Sequence, residues 1–277
     1  MNDLRTHALT TLRLIALVLW RFAEYMDTAV HEVGHTLSGV LMGSPLRIKI
    51  ASDASGLSTS SLGLVGLTPL AVPARILNKF AGPIAPVVFG LLLLACSSAS
   101  TFELSGWTPW VVALFAAAAL ASSVSLILLS VIFLLGAWLF SALMLLGVPA
   151  WSDAYVMGGV EAAALLFIAV AVTLLFSARS WFTLLVTALW AVAAGVVLNQ
   201  SLVEVPTALF IAGILFTAVG VVKVAIVGLS AFLDSSAAET DFGLLSNELG
   251  GSPFTWFLVF LVAFAGLLLV LTPALFF

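Results

Sequence analysis

The chain has 277 residues, of which 63% are hydrophobic and only 8% are charged. A soluble globular domain is about half apolar and a quarter charged, so this composition excludes an ordinary water-soluble protein. With a net charge of −4 and nine scattered basic residues the chain offers no cationic surface for nucleic acid, and we expect no such partner. Cys96 is the only cysteine, which excludes an intrachain disulfide and a thiolate metal cluster.

The first predicted helix covers residues 10–42 and ends at a Gly-Ser-Pro stop signal. No small-residue cleavage site follows its apolar start, so we expect a retained helix and not a cleaved signal peptide. Ionisable residues interrupt its second half, and their cost at membrane depth favours a functional role. They are Arg21, Glu24, Asp27, His31, Glu32 and His35.

After this helix, residues 47–50 and 55–60 alternate with a period near two, which predicts a small β-hairpin or loop against the membrane. The remaining apolar runs approach the 20 residues that a membrane-spanning helix needs. Residues 107–148 as one helix would be about 63 Å long, twice the membrane thickness, so we expect two spans there. The other predicted spans are 78–95, 159–176, 181–198, 208–232 and 254–271.

The predicted fold is therefore an all-α membrane protein, a polytopic bundle of about eight transmembrane helices with a β-hairpin or loop insert after the first. We assign residues 1–277 to a single membrane domain, in which 1–98 contains the charged helix, the insert and the second helix, and 99–277 contains the other spans. The loops rich in Lys and Arg are expected to be cytoplasmic. Lys223 falls inside a span, where snorkelling or pairing with a carboxylate is the simplest interpretation.

The segment His31-Glu32-Val33-Gly34-His35 matches the pattern H-E-x-x-H. Positions i and i+4 share one helix face, so both imidazoles can bind one Zn²⁺ while Glu32 serves as general base. A chance match, or a polar cluster that holds helices together, is the alternative. Two of the chain's three histidines lie in the motif, and unpartnered His and Glu are costly in hydrocarbon, which favours the zinc site.

Three blocks of sequence resemble the site-2 protease class of intramembrane metalloproteases, and within it the compact bacterial branch. HEVGHTLSGVL at 31–41 resembles the H-E-x-G-H helix of that class. RIKIASDASGLS at 47–58 resembles its basic strand and turn, and AGPIAPVVFG at 81–90 resembles the helix start beside its metal site. The resemblance implies a multi-pass zinc protease of the bacterial inner membrane that cuts transmembrane or membrane-proximal segments.

The resemblance also implies a third protein ligand, usually an Asp in a Leu-Asp-Gly motif, which this chain lacks. Asp153 follows a proline-broken helix end that is similar to the family's approach to its Asp. Asp241 lies in a segment that resembles a Ser-Asp-Ala stretch near the C-terminus of the compact branch. With two spans in 107–148, Asp241 reaches the cytoplasmic side, where the motif helix ends, so we favour Asp241 and keep Asp153 as the alternative.

We therefore predict a zinc metalloprotease with His31, His35 and Asp241 as metal ligands and Glu32 as general base, and we expect the strand at 47–50 to hold an unwound substrate by edge pairing. Its partners would be membrane-protein substrates and the lipid bilayer. The alternative is a catalytically silent membrane chaperone or a subunit of a larger membrane complex, which the missing Leu-Asp-Gly motif favours. A transporter is less well supported, because the later spans carry no buried charge other than Lys223.

Overall fold

A computed structural model of the chain describes residues 2–41, 46–53, 55–60, 71–98, 102–104, 155–199, 204–233 and 240–276. Within these ranges the chain forms seven helices and two small antiparallel sheets. The helices are α1 (Asn2–Leu41), α2 (Ala71–Ser98), α3 (Gly159–Ser177), α4 (Trp181–Leu198), α5 (Val205–Leu233), α6 (Asp241–Leu249) and α7 (Pro253–Phe276). The strands are β1 (Leu46–Ile50), β2 (Gly56–Ser60), β3 (Phe102–Leu104) and β4 (Tyr155–Met157).

Five of the described helices, α2, α3, α4, α5 and α7, are long and apolar enough to cross a membrane. They coincide with five predicted spans, and the largest shift is at the start of α2, which begins at Ala71 instead of residue 78. Helix α1 falls outside this group, because charged residues and histidines interrupt its apolar sequence. The count of about eight spans is not confirmed, and the two spans expected within 107–148 lie outside the described residues.

The predicted hairpin after the first helix is confirmed. Strands β1 and β2 pair antiparallel, with Ile48 opposite Ser58 and Ile50 opposite Gly56. Ile48 and Ile50 are buried against the helices, whereas Arg47 and Lys49 are exposed, as the two-residue period of a strand requires. In the turn, the Asp53 carboxylate accepts hydrogen bonds from the hydroxyl and the backbone N–H of Ser55, and these bonds hold the pKa of Asp53 below its usual range.

The second edge of β1 is occupied, which corrects the expectation that residues 47–50 pair with a substrate. The N–H of Arg179 donates to the carbonyl of Ile48, and Ile48 forms a parallel bridge with Ala178. The N–H of Ile50 donates to the hydroxyl of Thr183 at 3.0 Å. Since the first turn of α4 and residues 178 and 179 before it take these backbone groups, the open edge of this sheet belongs to β2. No other strand pairs with β2 in the described ranges.

Two buried clusters hold the helices together. The first lies among α1, α2, α3, α4, α5 and β1. It contains Trp190, whose ring packs against Phe89 and Phe167 at centroid distances of 5.4 and 5.2 Å. The second joins α2, α5, α6 and α7 through Phe80, Phe242 and Phe260. Because Phe242 is fully buried, it fixes the short helix α6 against α2 and α7.

Glycines allow α2 and α5 to approach closely. A Cβ on Gly90 would overlap the hydroxyl of Thr217 and lie 2.7 Å from the carbonyl of Gly213. A Cβ on Gly213 would in turn lie 2.9 Å from the carbonyl of Gly90. Small residues at a helix crossing in this arrangement permit backbone contact, which is a common way to associate helices in a membrane.

We expect Gly90→Ala to destabilise the protein by about 1–3 kcal/mol, because the added methyl group has no room between the two backbones. Gly195→Ala is the matched control, since a Cβ at Gly195 in α4 would meet nothing within 4 Å. Thermal unfolding of the two purified variants in the same detergent measures the difference. Equal melting temperatures for Gly90→Ala and the unchanged protein would contradict the tight α2–α5 contact.

Candidate functional site

Helix α1 places the three residues of the H-E-x-x-H motif on one side of the bundle core. The Nε2 atoms of His31 and His35 are 3.2 Å apart, as expected for side chains one helical turn apart that point to one place. His35 and Glu32 are buried, and His31 is half-buried. The motif helix thus brings two imidazoles and a carboxylate to one cavity, which all three side chains line.

Helix α2 orients His35. The backbone carbonyl of Asn78 lies 2.7 Å from Nδ1 of His35, and a carbonyl only accepts, so Nδ1 carries a proton and donates it. The Nε2 of a neutral His35 is then left with its lone pair directed toward His31. The Asn78 side chain donates to the backbone carbonyl of His35 and to the hydroxyl of Ser38. Asn78 therefore joins α2 to the motif helix through both its backbone and its side chain.

Helix α6 brings Asp241 to the two histidines, 206 residues after His35 in the sequence. Its Oδ2 lies 3.3 Å from Nε2 of His31 and 3.4 Å from Nε2 of His35. Its Oδ1 faces the ammonium group of Lys79 at 3.5 Å. Thr240 caps the helix by accepting from the N–H of Gly243, so Asp241 occupies the first turn and its carboxylate is free to point inward.

The three converging atoms fit a zinc ion. Zinc binds imidazole nitrogen and carboxylate oxygen at about 2.0–2.2 Å, so neighbouring ligand atoms of a tetrahedral site are roughly 3.3 Å apart. The observed separations of 3.2 to 3.4 Å match this geometry. On one side the backbone of α2 closes the site, because a Cβ on Gly82 would overlap Nε2 of His35. His31, His35 and Asp241 could therefore hold a divalent cation.

Glu32 faces the β-hairpin. Its Oε2 is buried and has no hydrogen-bond partner among the described residues. A Cβ on Gly56, the first residue of β2, would overlap Oε1 of Glu32, so only glycine lets the strand come this close. A buried carboxylate oxygen without a partner is costly, which fits a group that works on a water or a substrate. The adjoining cavity has a volume of about 330 Å³.

Glu24 and Asp27, two further acidic residues of α1, have basic partners. Glu24 pairs with Arg21 at 3.0 Å and also accepts from the indole of Trp20. Asp27 pairs with Lys223 of α5, at 2.6 Å between Oδ2 and Nζ. The pairing of Lys223 with a carboxylate agrees with the simplest interpretation of its sequence position.

Of the sequence-predicted residues, the structure brings together His31, Glu32, His35 and Asp241, whereas Asp153 lies outside the described residues. Sequence reasoning missed Asn78 and Lys79 as parts of the site. A signal was available, because the sequence NKFAGP places them four and three residues before Gly82, which lies in the block that resembles the helix start beside the metal site of the site-2 protease class.

The model of the Peptidase M50B-like family matches residues 5–160. This match covers more than half of the chain and includes the motif helix, the hairpin and α2. The chain belongs to the Peptidase M50B-like family. The recognition of the site-2 protease class is therefore confirmed, and together with the five apolar helices it identifies a multi-pass membrane protein of a peptidase family. No curated protein and no solved structure matches the chain.

Proposed function

We propose that this member of the Peptidase M50B-like family is a zinc metalloprotease that hydrolyses peptide bonds of membrane-embedded or membrane-proximal substrates. The observation that carries the proposal is the convergence of His31, His35 and Asp241 beside the buried Glu32. The family match supports the same chemistry. The resemblance to the compact bacterial branch favours the bacterial inner membrane as its location.

In this proposal His31, His35 and Asp241 would hold Zn²⁺ through the Nε2 atoms of the histidines and Oδ2 of the aspartate. Zinc supplies a Lewis acid that activates water and polarises the scissile carbonyl. Asn78 keeps His35 in the tautomer that a metal ligand needs, since it fixes the proton on Nδ1. Lys79 neutralises part of the carboxylate charge and directs only one oxygen of Asp241 to the histidines.

Glu32 is the proton carrier in this proposal. Its carboxylate would take a proton from the attacking water as the new C–O bond forms, and would then deliver it to the nitrogen of the leaving amine as the peptide C–N bond breaks. The burial of Glu32 and the lack of a hydrogen-bond partner for Oε2 among the described residues leave that oxygen available for the transfer.

The open edge of β2 is the place where an extended substrate would pair. The hydrogen bond from Ala51 N–H to Ser55 O sets the alternation of the hairpin, so the backbone groups of Gly56 and Ser58 point away from β1. A substrate strand added here would pass beside Glu32, because Gly56 touches that carboxylate. Strand addition supplies main-chain hydrogen bonds to a peptide that has lost its helix.

A catalytically silent chaperone or complex subunit remains the competing proposal. It requires no metal, whereas the protease requires one zinc ion per chain. The mutual approach of two imidazoles and a carboxylate supports the protease, since one bound cation would stabilise all three groups at these distances. The zinc content of the purified protein separates the two proposals.

The third ligand can be tested by comparing two aspartates. We expect Asp241→Ala to weaken zinc binding by more than the roughly 10- to 100-fold loss that outer-shell changes cause, because a direct ligand is removed. Asp153→Ala should leave zinc affinity unchanged. Competition with a chromogenic chelator measures both values in detergent. A loss confined to Asp153→Ala would show that the alternative ligand is the correct one.

Glu32→Gln should retain zinc and lower the rate of peptide hydrolysis by about 10²–10⁴-fold, since the amide cannot accept the proton. Glu24→Gln is the matched control on the same helix, because Glu24 pairs with Arg21 and does not line the cavity. Cleavage of a fluorescent casein probe and metal analysis are measured on the same preparations. Native rates in a zinc-loaded Glu32→Gln variant would refute the role of Glu32.

A further inference from the structure

The ion pair between Asp27 and Lys223 joins α1 to α5. Lys223 is in the second half of α5, a helix apolar enough to span a membrane, where an unpaired ammonium group is costly. Its Nζ lies 2.6 Å from Oδ2 of Asp27 and 3.4 Å from the hydroxyl of Thr28. Asp27 is buried, whereas 38% of the Lys223 side chain is exposed.

Lys223 lines the cavity of the candidate active site. Asp27 is four residues before His31, so the two side chains are neighbours on one face of α1, roughly 5–6 Å apart at their Cβ atoms. The cavity that Lys223 and Asp27 line is the same one that His31, Glu32 and Asp241 line. Gly56 and Leu57 of β2 form another part of its wall.

Lys223 can offer a hydrogen bond to a molecule in this cavity. An ammonium group has three N–H donors, and Asp27 and Thr28 account for two of them in the described structure. The Asp27 carboxylate balances the positive charge at close range, which reduces the attraction for a second carboxylate. A neutral carbonyl oxygen remains a suitable acceptor.

A peptide that leaves its helix to be cleaved creates a need for such a donor. Its carbonyl groups lose their intrahelical partners, and in a membrane-shielded cavity each unsatisfied carbonyl is costly. Strand β2 can satisfy the groups on one side of an extended peptide. The helical wall opposite is apolar around Lys223, where Val224, Ile226 and Val227 line the cavity without side-chain donors.

We propose that Lys223 is a substrate-binding residue, which donates a hydrogen bond to a backbone carbonyl of the unwound peptide near the scissile bond, and that Asp27 holds its ammonium group in place. This assignment rests on the proposed protease function and adds a subsite on the α5 wall of the cavity. A purely structural ion pair, which only joins α1 to α5, is the competing explanation.

Two variants separate binding from pairing. Lys223→Arg keeps the ion pair with Asp27 and a cationic donor, and the double variant Asp27→Asn with Lys223→Met removes both without leaving a buried charge. Each full-length protein is purified in detergent, loaded with Co²⁺ and titrated by its visible absorption. The probe is a phosphinic peptide with three leucines on each side of the phosphinate, and dimethylphosphinate is the control that contains no peptide.

We expect the double variant to bind the phosphinic peptide about tenfold more weakly than Lys223→Arg does, because it loses one hydrogen bond from a charged donor. Dimethylphosphinate should bind both variants equally, and Lys223→Arg should keep most of the unchanged protein's affinity for the peptide. Melting temperatures are compared to confirm that both variants are folded.

Equal affinity of the two variants for the peptide would overturn the assignment and leave the ion pair with a structural role. A second probe has one leucine replaced by glutamate. If the unchanged protein binds this probe more tightly than the all-leucine probe, the assignment is also overturned, because Lys223 would then select an acidic side chain. A protein that takes up no Co²⁺ would instead refute the proposed protease, and the subsite with it.

Discussion

The site depends on the meeting of two imidazoles and one carboxylate at a buried point. His31 and His35 come from one helix, whereas Asp241 comes from the start of a short helix far along the chain. Three such groups within 3.4 Å of one another lose hydration, and a shared divalent cation is the partner that stabilises all three at once. The packing of α1, α2 and α6 serves to maintain this convergence.

Helix α2 is the element that connects the parts of the site. Asn78 bonds to His35, and Lys79 pairs with Asp241. Gly82 lies against the rings of both histidines. A second ion pair, between Arg75 and Glu248 at 3.4 Å, joins α2 to the far end of α6. With Phe242 buried between α2 and α7, the short helix is fixed at both ends. The position of the Asp241 carboxylate is therefore fixed by contacts of Arg75, Glu248 and Phe242, none of which is a proposed metal ligand.

Local patterns in the sequence were sufficient for part of this arrangement. The H-E-x-x-H spacing gave both histidines and Glu32, because i and i+4 positions share a face on any α-helix. Alternating residues gave the hairpin, and long apolar runs gave five helices close to their observed bounds. The choice of Asp241 over Asp153 required an argument about membrane sides, since each lies in a segment that resembles part of the family.

The rest depends on contacts between distant segments, which a single sequence does not encode locally. Asn78 bonds to His35 across 43 residues, and Lys223 pairs with Asp27 across 196. The second edge of β1 is occupied by residues 178–183, so the edge proposed to pair with a substrate is that of β2. Likewise, no predicted span covers α6, because this nine-residue helix is stabilised by the burial of Phe242 and Leu245 against distant helices.

Zinc K-edge X-ray absorption of the purified, zinc-loaded protein tests the central claim most directly. The account predicts one zinc ion with two imidazole ligands at about 2.0 Å and oxygen ligands completing a four-coordinate shell. Replacement of both histidines should abolish the imidazole scattering together with stoichiometric zinc. A spectrum without imidazole scattering, or a protein that binds no zinc, would contradict the account.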